Sequence, residues 1–407
     1  MSEYTPPREI LERYAALLVG YGIGAGKGMK EGDVVLVISW EDAKPLMYHV
    51  CKEVWRRGGH VIPQLRPADD SDYNMTKAFL ELASDEQLAF APLKYGIAAI
   101  ESADHIVFLV GERDPHALEG VDPAKMMARS RASRPIFEAR LAKEAAGKQT
   151  WTIGNYATAG MAAEARMGIE EYWQQMIKGC RLDDPDPIAR WLEIGEQIKR
   201  YTDWLNSLEI ERVHIVGADA DLWITLGPAR RFVAADGCNI PSYEIFTAPD
   251  FRGTNGWIRF NEPIYLYGPM LEGVELEFKD GEVVRASATE NEQLLQELVA
   301  TDEGSGRLGE FSMTDSRLSP ITAFMADTLY DENRGGRYGN SHIALGSTIQ
   351  EAYTGDKEAM TDEDWKRLGF NISGVHTDFI QTTDRTITAV LADGSEQVIY
   401  TDGKFTL

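Results

Sequence analysis

The sequence is poor in cysteine, in positive charge and in long apolar runs, and each shortage excludes a class of protein. Its 407 residues contain three cysteines, Cys51, Cys180 and Cys238. An odd, scattered set without C-x-x-C spacing builds neither a disulfide framework nor a cysteine zinc site. Each is read as a small buried hydrophobe in a reducing compartment. Lys and Arg number 41 against 65 Asp and Glu, a net charge of −24. Such a chain lacks the basic footprint that nucleic acid requires, and anionic lipid repels it. No run of about 18 apolar residues is present, so no transmembrane helix is expected. The opening Met1-Ser-Glu-Tyr-Thr-Pro-Pro-Arg8 lacks the basic and apolar regions of a secretory signal. The expectation is a cytoplasmic protein with neither a membrane nor a nucleic-acid partner.

What is there is ordinary for a folded chain, with 43% apolar and 26% charged residues. In the first half, short apolar runs alternate with helical patterns. Asp33–Ser39, His60–Leu65, Asp104–Val110 and Gln149–Ile153 read as strands. Arg8–Gly20, Ala43–Arg57, 123–131 and 136–147 read as helices. That alternation implies parallel βαβ units. After the turn cluster Asp184-Pro-Asp-Pro187 comes an amphipathic connector helix over about 188–208. Beyond it, short alternating strands are expected at 212–216, 222–226, 256–260, 264–267, 274–279 and 282–288, with Asp280-Gly281 as a hairpin turn. Asp393-Gly394 and Asp402-Gly403 repeat that punctuation. The expected fold is therefore an α/β N-terminal domain with a parallel sheet (1–185), followed by an α+β C-terminal domain rich in antiparallel strands (186–407).

Gly20-Tyr-Gly-Ile-Gly-Ala-Gly-Lys-Gly28 looks like a phosphate loop but fails on spacing and context. Tyr21 stands where the first glycine should be, Gly28 replaces the hydroxyl residue, and the segment runs from helix to strand. His49, His60, His105, His116 and His214 have no partner at ligand spacing and read as surface or satisfied core histidines. Val375-His-Thr-Asp-Phe379 differs. On a strand, His376 and Asp378 share a face, so imidazole and carboxylate can meet at one cation. His342, in Gly339-Asn-Ser-His-Ile-Ala-Leu-Gly346, and the carboxylates Glu244 and Glu310 are further candidates. Together the five residues form a sufficient set for two divalent cations sharing a bridging carboxylate.

At these residues the chain resembles the thermophilic-type metallo-aminopeptidases, the aminopeptidase T, aminopeptidase S and PepS family. The resemblance is carried by Glu244-Ile-Phe-Thr-Ala-Pro-Asp250, Ala300-Thr-Asp-Glu-Gly304, Leu308-Gly-Glu310, Asp331-Glu-Asn333, His342-Ile-Ala-Leu-Gly346 and Leu368-Gly-Phe-Asn371 leading to His376-Thr-Asp-Phe379. It implies a homodimer with an enclosed cavity and a C-terminal domain that carries the metals. It implies that Glu244, Glu310, His342, His376 and Asp378 ligate two divalent ions per chain (zinc, cobalt, manganese or magnesium). Glu310 matches the bridging carboxylate and Glu332 a further site glutamate. The implied reaction is hydrolytic removal of the N-terminal residue of a peptide, or cleavage of a related amide in a small molecule.

Two positions depart from the family pattern. Arg334-Gly-Gly-Arg-Tyr-Gly-Asn-Ser341 lengthens the loop between Glu332 and His342. Ile349 stands where the family typically has a tyrosine, seven residues after the histidine matching His342, and the nearest tyrosine is Tyr353. Either Tyr353 supplies the phenol from a shifted loop, or peptide hydrolysis is weakened or replaced. Two other readings follow. One is a mononuclear non-haem iron dioxygenase of the 2,5-dihydroxypyridine type, with His342, His376 and Asp378 holding one Fe(II). The other is a catalytically quiet binding protein.

Overall fold

The computed structural model describes residues 4–234, 237–266, 269–357 and 360–407. The chain divides into two compact units, Met1–Leu192 with Asp236–Ile240, and Glu193–Ala235 with Pro241–Leu407. The dividing point falls inside one helix, Pro187–Asn206.

The first unit is built on four parallel strands: β1 (Val34–Trp40), β2 (His60–Arg66), β3 (His105–Val110) and β4 (Thr150–Asn155), in the order β2-β1-β3-β4. β1 is apolar but for Ser39, because a parallel strand covered on both faces has no polar side to show. Leu36, Ile38, Ile106, Ile100 and Ala103 form a core against which Ile136 and Trp151 pack. The glycine-rich segment after the first helix (Arg8–Leu17) starts in a short π-helix, Leu18–Gly22, and continues as turns toward β1, so it is a connection and not a nucleotide loop. The two helices expected at 123–131 and 136–147 are one, Pro123–Ala145, with Pro135 inside it. No residue of this helix is fully buried, so water can reach the carbonyl that Pro135 leaves without an N–H partner. Further helices at Met75–Leu82, Leu93–Ser102 and Ile169–Gly179 were not expected from the sequence. Cys51 and Cys180 are buried and Cys238 is half-buried, and none of the three forms a disulfide among the described residues.

The second unit holds β5 (Ile210–Gly217), β6 (Ala220–Thr225), β7 (Glu244–Thr247), β8 (Asn255–Arg259), β9 (Ile264–Tyr265), β10 (Met270–Leu271), β11 (Glu275–Lys279), β12 (Glu282–Ser287), β13 (Leu308–Thr314), β14 (Asn340–Gly346), β15 (His376–Gln381), β16 (Arg385–Leu391), β17 (Glu396–Thr401) and β18 (Lys404–Phe405). Tyr267, the expected end of β9, lies outside the described residues. An eight-stranded antiparallel sheet runs β12-β11-β8-β6-β5-β16-β17-β18, and a four-stranded one runs β15-β14-β13-β7. β9 and β10 pair separately. Among the described residues, no helix is long and apolar enough to cross a membrane.

Asp280 and Gly281 make the two-residue turn between β11 and β12, with φ of 51° and 88°. Two positive φ values match the twist of the flanking strands. A Cβ at Gly281 would also run into the Phe251 carbonyl oxygen. Gly281→Ala is therefore expected to cost about 1–3 kcal/mol from the backbone alone. Urea midpoints at constant m-value would check it, and an unchanged midpoint would show that the turn can relax.

Candidate metal centre

The four-stranded sheet gathers the candidate ligands on one face. Side chains alternate along a strand, and residues paired across antiparallel strands point the same way. Asp378 pairs with Ala344, which pairs with Glu310. His342 pairs with Ser312, and Glu244 with Thr314. His376 pairs with Gly346. Steps of two residues along each strand then put Glu244, Glu310, His342, His376 and Asp378 on a common face. Ala344 lies between Glu310 and Asp378 in that row, and its small side chain leaves space between them.

Nε2 of His342 lies 3.3 Å from Glu244 and 3.6 Å from Oε1 of Glu310. Nε2 of His376 lies 3.3 Å from Oε2 of Glu310 and 3.5 Å from Asp378. Glu310 thus turns one carboxylate oxygen to each imidazole. The ligand atoms fall into two overlapping groups, Glu244–Glu310–His342 and Glu310–His376–Asp378, each within 4.8 Å. The side chains of Glu310 and His342 are 4% and 1% exposed, whereas His376 is 32% exposed.

Burial raises the Glu244 carboxyl to about 7, with the neighbouring Glu310 charge adding to it. Burial works against the charged form of Glu310 too, but His342 and His376 beside it hold it below the usual carboxylate range. Burial opposes the charge on His342, yet Glu310, Glu244 and Asp378 lift it to about 9. Glu332 joins the same space. Burial, then the charges of Glu244, Asp378 and Glu310, push its carboxyl well above the ordinary range. Its oxygen accepts from Asn333 Nδ2 at 3.3 Å, and Asn340 Nδ2 donates to its backbone carbonyl at 2.6 Å. The lengthened loop is thus closed by Asn340 and by the ion pair of Arg334 with Glu262.

The residues fit divalent cations. Three carboxyl groups and two imidazoles converge on one face, an oxygen and nitrogen set that suits zinc, cobalt or manganese. Ser312 was not anticipated from the sequence. Its hydroxyl shares the ligand face and donates to Glu244 Oε2 at 2.9 Å. Tyr353 sits in an aromatic cluster, its ring 5.1 Å from Trp365 and 5.6 Å from Phe370. Among the described residues, no hydrogen bond joins its phenol to the five donors. Of the other histidines, His105, His116 and His214 each face one carboxylate, Asp33, Glu164 and Asp221.

The family described as thermophilic metalloprotease (M29) matches residues 8–405. The chain belongs to this family. Aminopeptidase PepS of Streptococcus thermophilus is 28% identical over 423 residues, covering 98% of each chain. Aminopeptidase T of Thermus thermophilus is 28% identical over 415 residues, covering 97% of this chain and 98% of its own. The solved structure of wild-type AmpT from Thermus thermophilus has the same fold, with a TM-score of 0.82 at 24% identity over 98% of this chain and 100% of that one. As an M29 member the protein is a metal-dependent hydrolase of the aminopeptidase type. The dioxygenase reading finds no support, since the named relatives are aminopeptidases. An acidic pair, Glu244 and Glu310, also accompanies the three residues an iron site would use.

Proposed function

We propose that this M29 member removes N-terminal residues from peptides at a two-cation centre in a catalytic domain formed by residues 186–407. The observation that carries the reading is the double engagement of Glu310, one oxygen toward His342 and the other toward His376. Glu244 and His342 would hold one cation with Glu310, and His376 and Asp378 the other. Bound divalent cations supply Lewis acidity, which lowers the pKa of a water and polarises a peptide carbonyl. Ser312 steadies Glu244 through its hydroxyl. Glu332 keeps its proton more readily than an ordinary glutamate, because burial and three carboxylates disfavour its charge. Cations bound beside it would offset those carboxylate charges and favour its ionised form, which could then take a proton from the attacking water and return it to the leaving amine. Three scattered cysteines, none in a disulfide among the described residues, fit a reducing cytoplasm. The family resemblance supports a homodimer, which sedimentation of the full chain would test.

The test is metal content and turnover on the same sample. Protein reconstituted with zinc, cobalt or manganese and then desalted should carry two cations per chain and release the first residue of a peptide. Chelation should stop turnover and lower the melting temperature. Cation at about 100 times its Kd stabilises by about 2.7 kcal/mol. One iron per chain, with oxygen uptake on a dihydroxypyridine, would overturn the reading.

A further inference from the structure

Three segments lie around the centre without a chemical role: Ala300-Thr-Asp-Glu-Gly304, Leu308-Gly309 and Leu368-Gly-Phe-Asn371. They converge on His376, the most exposed of the five donors. Packing alone does not fix a ring that is 32% exposed. Its Nδ1 faces the Ser347 carbonyl oxygen at 2.8 Å, and a proton there turns Nε2 toward Glu310 and Asp378.

The Ser347 carbonyl is in turn held from several sides. Ser347 N–H donates to Val375 O at 2.7 Å, and Gly346 N–H to Arg307 O at 2.9 Å. Thr348 and Asn371 exchange two bonds, Thr348 N–H to Asn371 O at 3.0 Å and Asn371 N–H to Thr348 Oγ1 at 2.8 Å. The buried Asn371 amide donates to Gly346 O and Gly304 O, each at 2.7 Å. Asp302 fastens the segment that leads into His376. Its carboxylate accepts from Gly374 N–H at 2.6 Å, Ser373 Oγ at 2.9 Å and Gly304 N–H at 2.8 Å. Gly309 permits the close approach, because a Cβ there would run into the Gly346 and Ser347 carbonyl oxygens. Three segments, 302–307, 346–348 and 371–375, are thus tied together beside one imidazole.

We propose that Asp302 and Asn371 form a latch that positions His376, through the Ser347 carbonyl, for the cation shared with Glu310 and Asp378. Both are positioning residues, acting through the turn and not on substrate. The inference rests on the two-cation reading above and adds that one half of the centre depends on the latch while the other does not. The half built by Glu244 and His342 comes from β7 and the middle of β14, where the ladder itself supplies the order.

The test uses the full-length protein loaded with cobalt(II), comparing wild type, Asn371→Ala, Asp302→Asn and His376→Ala. The readouts are competition against a chelator and the visible cobalt spectrum. The expected result is a loss of about 10–100-fold in affinity for one of the two cobalt ions, with a residual spectrum matching that of His376→Ala. Leu276→Ala, in the core of the eight-stranded sheet, should lower the melting temperature without moving either ion. If Asn371→Ala fails to fold, Asp302→Asn decides, since it keeps the side chain's size and loses one acceptor. Latch variants that bind both cobalt ions as wild type does would overturn the latch alone. A wild-type chain that binds no cobalt would overturn the two-cation reading, and the latch with it.

Discussion

Glu310→Gln is expected to disable both halves of the centre at once, costing about 10³-fold or more in kcat/KM. The reason is its placement. Oε1 faces His342 at 3.6 Å and Oε2 faces His376 at 3.3 Å, so each oxygen serves a different group of donors. An amide leaves one weak oxygen ligand and points an NH2 group at the other imidazole. Glu244→Gln and Asp378→Asn each touch one group only, so each should leave one cation bound per chain. The three variants therefore separate by stoichiometry as well as by rate. Metal analysis after desalting, with kcat/KM on an aminoacyl anilide, gives both numbers. A melting curve of each metal-free variant shows whether it is folded. A Glu310→Gln protein that keeps two cations and works within about tenfold of wild type would remove the shared ligand from the scheme.

How the donors were visible in the sequence depends on where their strands are buried. His376 and Asp378 stand two apart in an alternating stretch, so their common face is legible directly. Leu308–Thr314 and Asn340–Gly346 are harder. Every residue of both strands is buried, yet each alternates: Phe311 and Met313 against Glu310, Ser312 and Thr314, and Ile343 and Leu345 against His342 and Ala344. Such a pattern normally marks a sheet with one wet face. Here the polar face is turned inward onto the centre, and a polar residue that water cannot reach looks the same in sequence as one that it can. Ser312 was missed for that reason, although its spacing of two from Glu310 was available. The βαβ half was legible because β1 and β3 are apolar apart from Ser39 and His105, as expected of strands covered on both sides. The helices between β2 and β3 were not read, although Met75, Ala78, Phe79 and Leu82 recur at helical spacing.

Ile349→Tyr is expected to raise kcat on peptides by up to about 10²-fold, the value of one well-placed oxyanion donor, with KM little changed. The family resemblance implies a tyrosine at this position, whose phenol helps at the centre, and isoleucine cannot donate a hydrogen bond. The backbone accepts the change. Ile349 is half-buried with φ −80° and ψ 110°, an ordinary extended conformation open to tyrosine. It follows Ser347 and Thr348, which the contacts to His376 and Asn371 hold in place, so a new side chain starts from a fixed point two residues from the carbonyl that orients His376. Tyr353 is the competing source of a phenol, and its surroundings argue against it. Its ring packs edge-on against Trp365 and Phe370, a contact that phenylalanine would keep. Tyr353→Phe should accordingly leave kcat/KM close to wild type. Loss of activity in that variant would place its hydroxyl at the chemistry and make Ile349 a bystander. If Ile349→Tyr left peptide turnover unchanged while both cations remained bound, the missing phenol would not limit the reaction. The search for a substrate would then move from peptides to other amides that the same two-cation centre can hydrolyse.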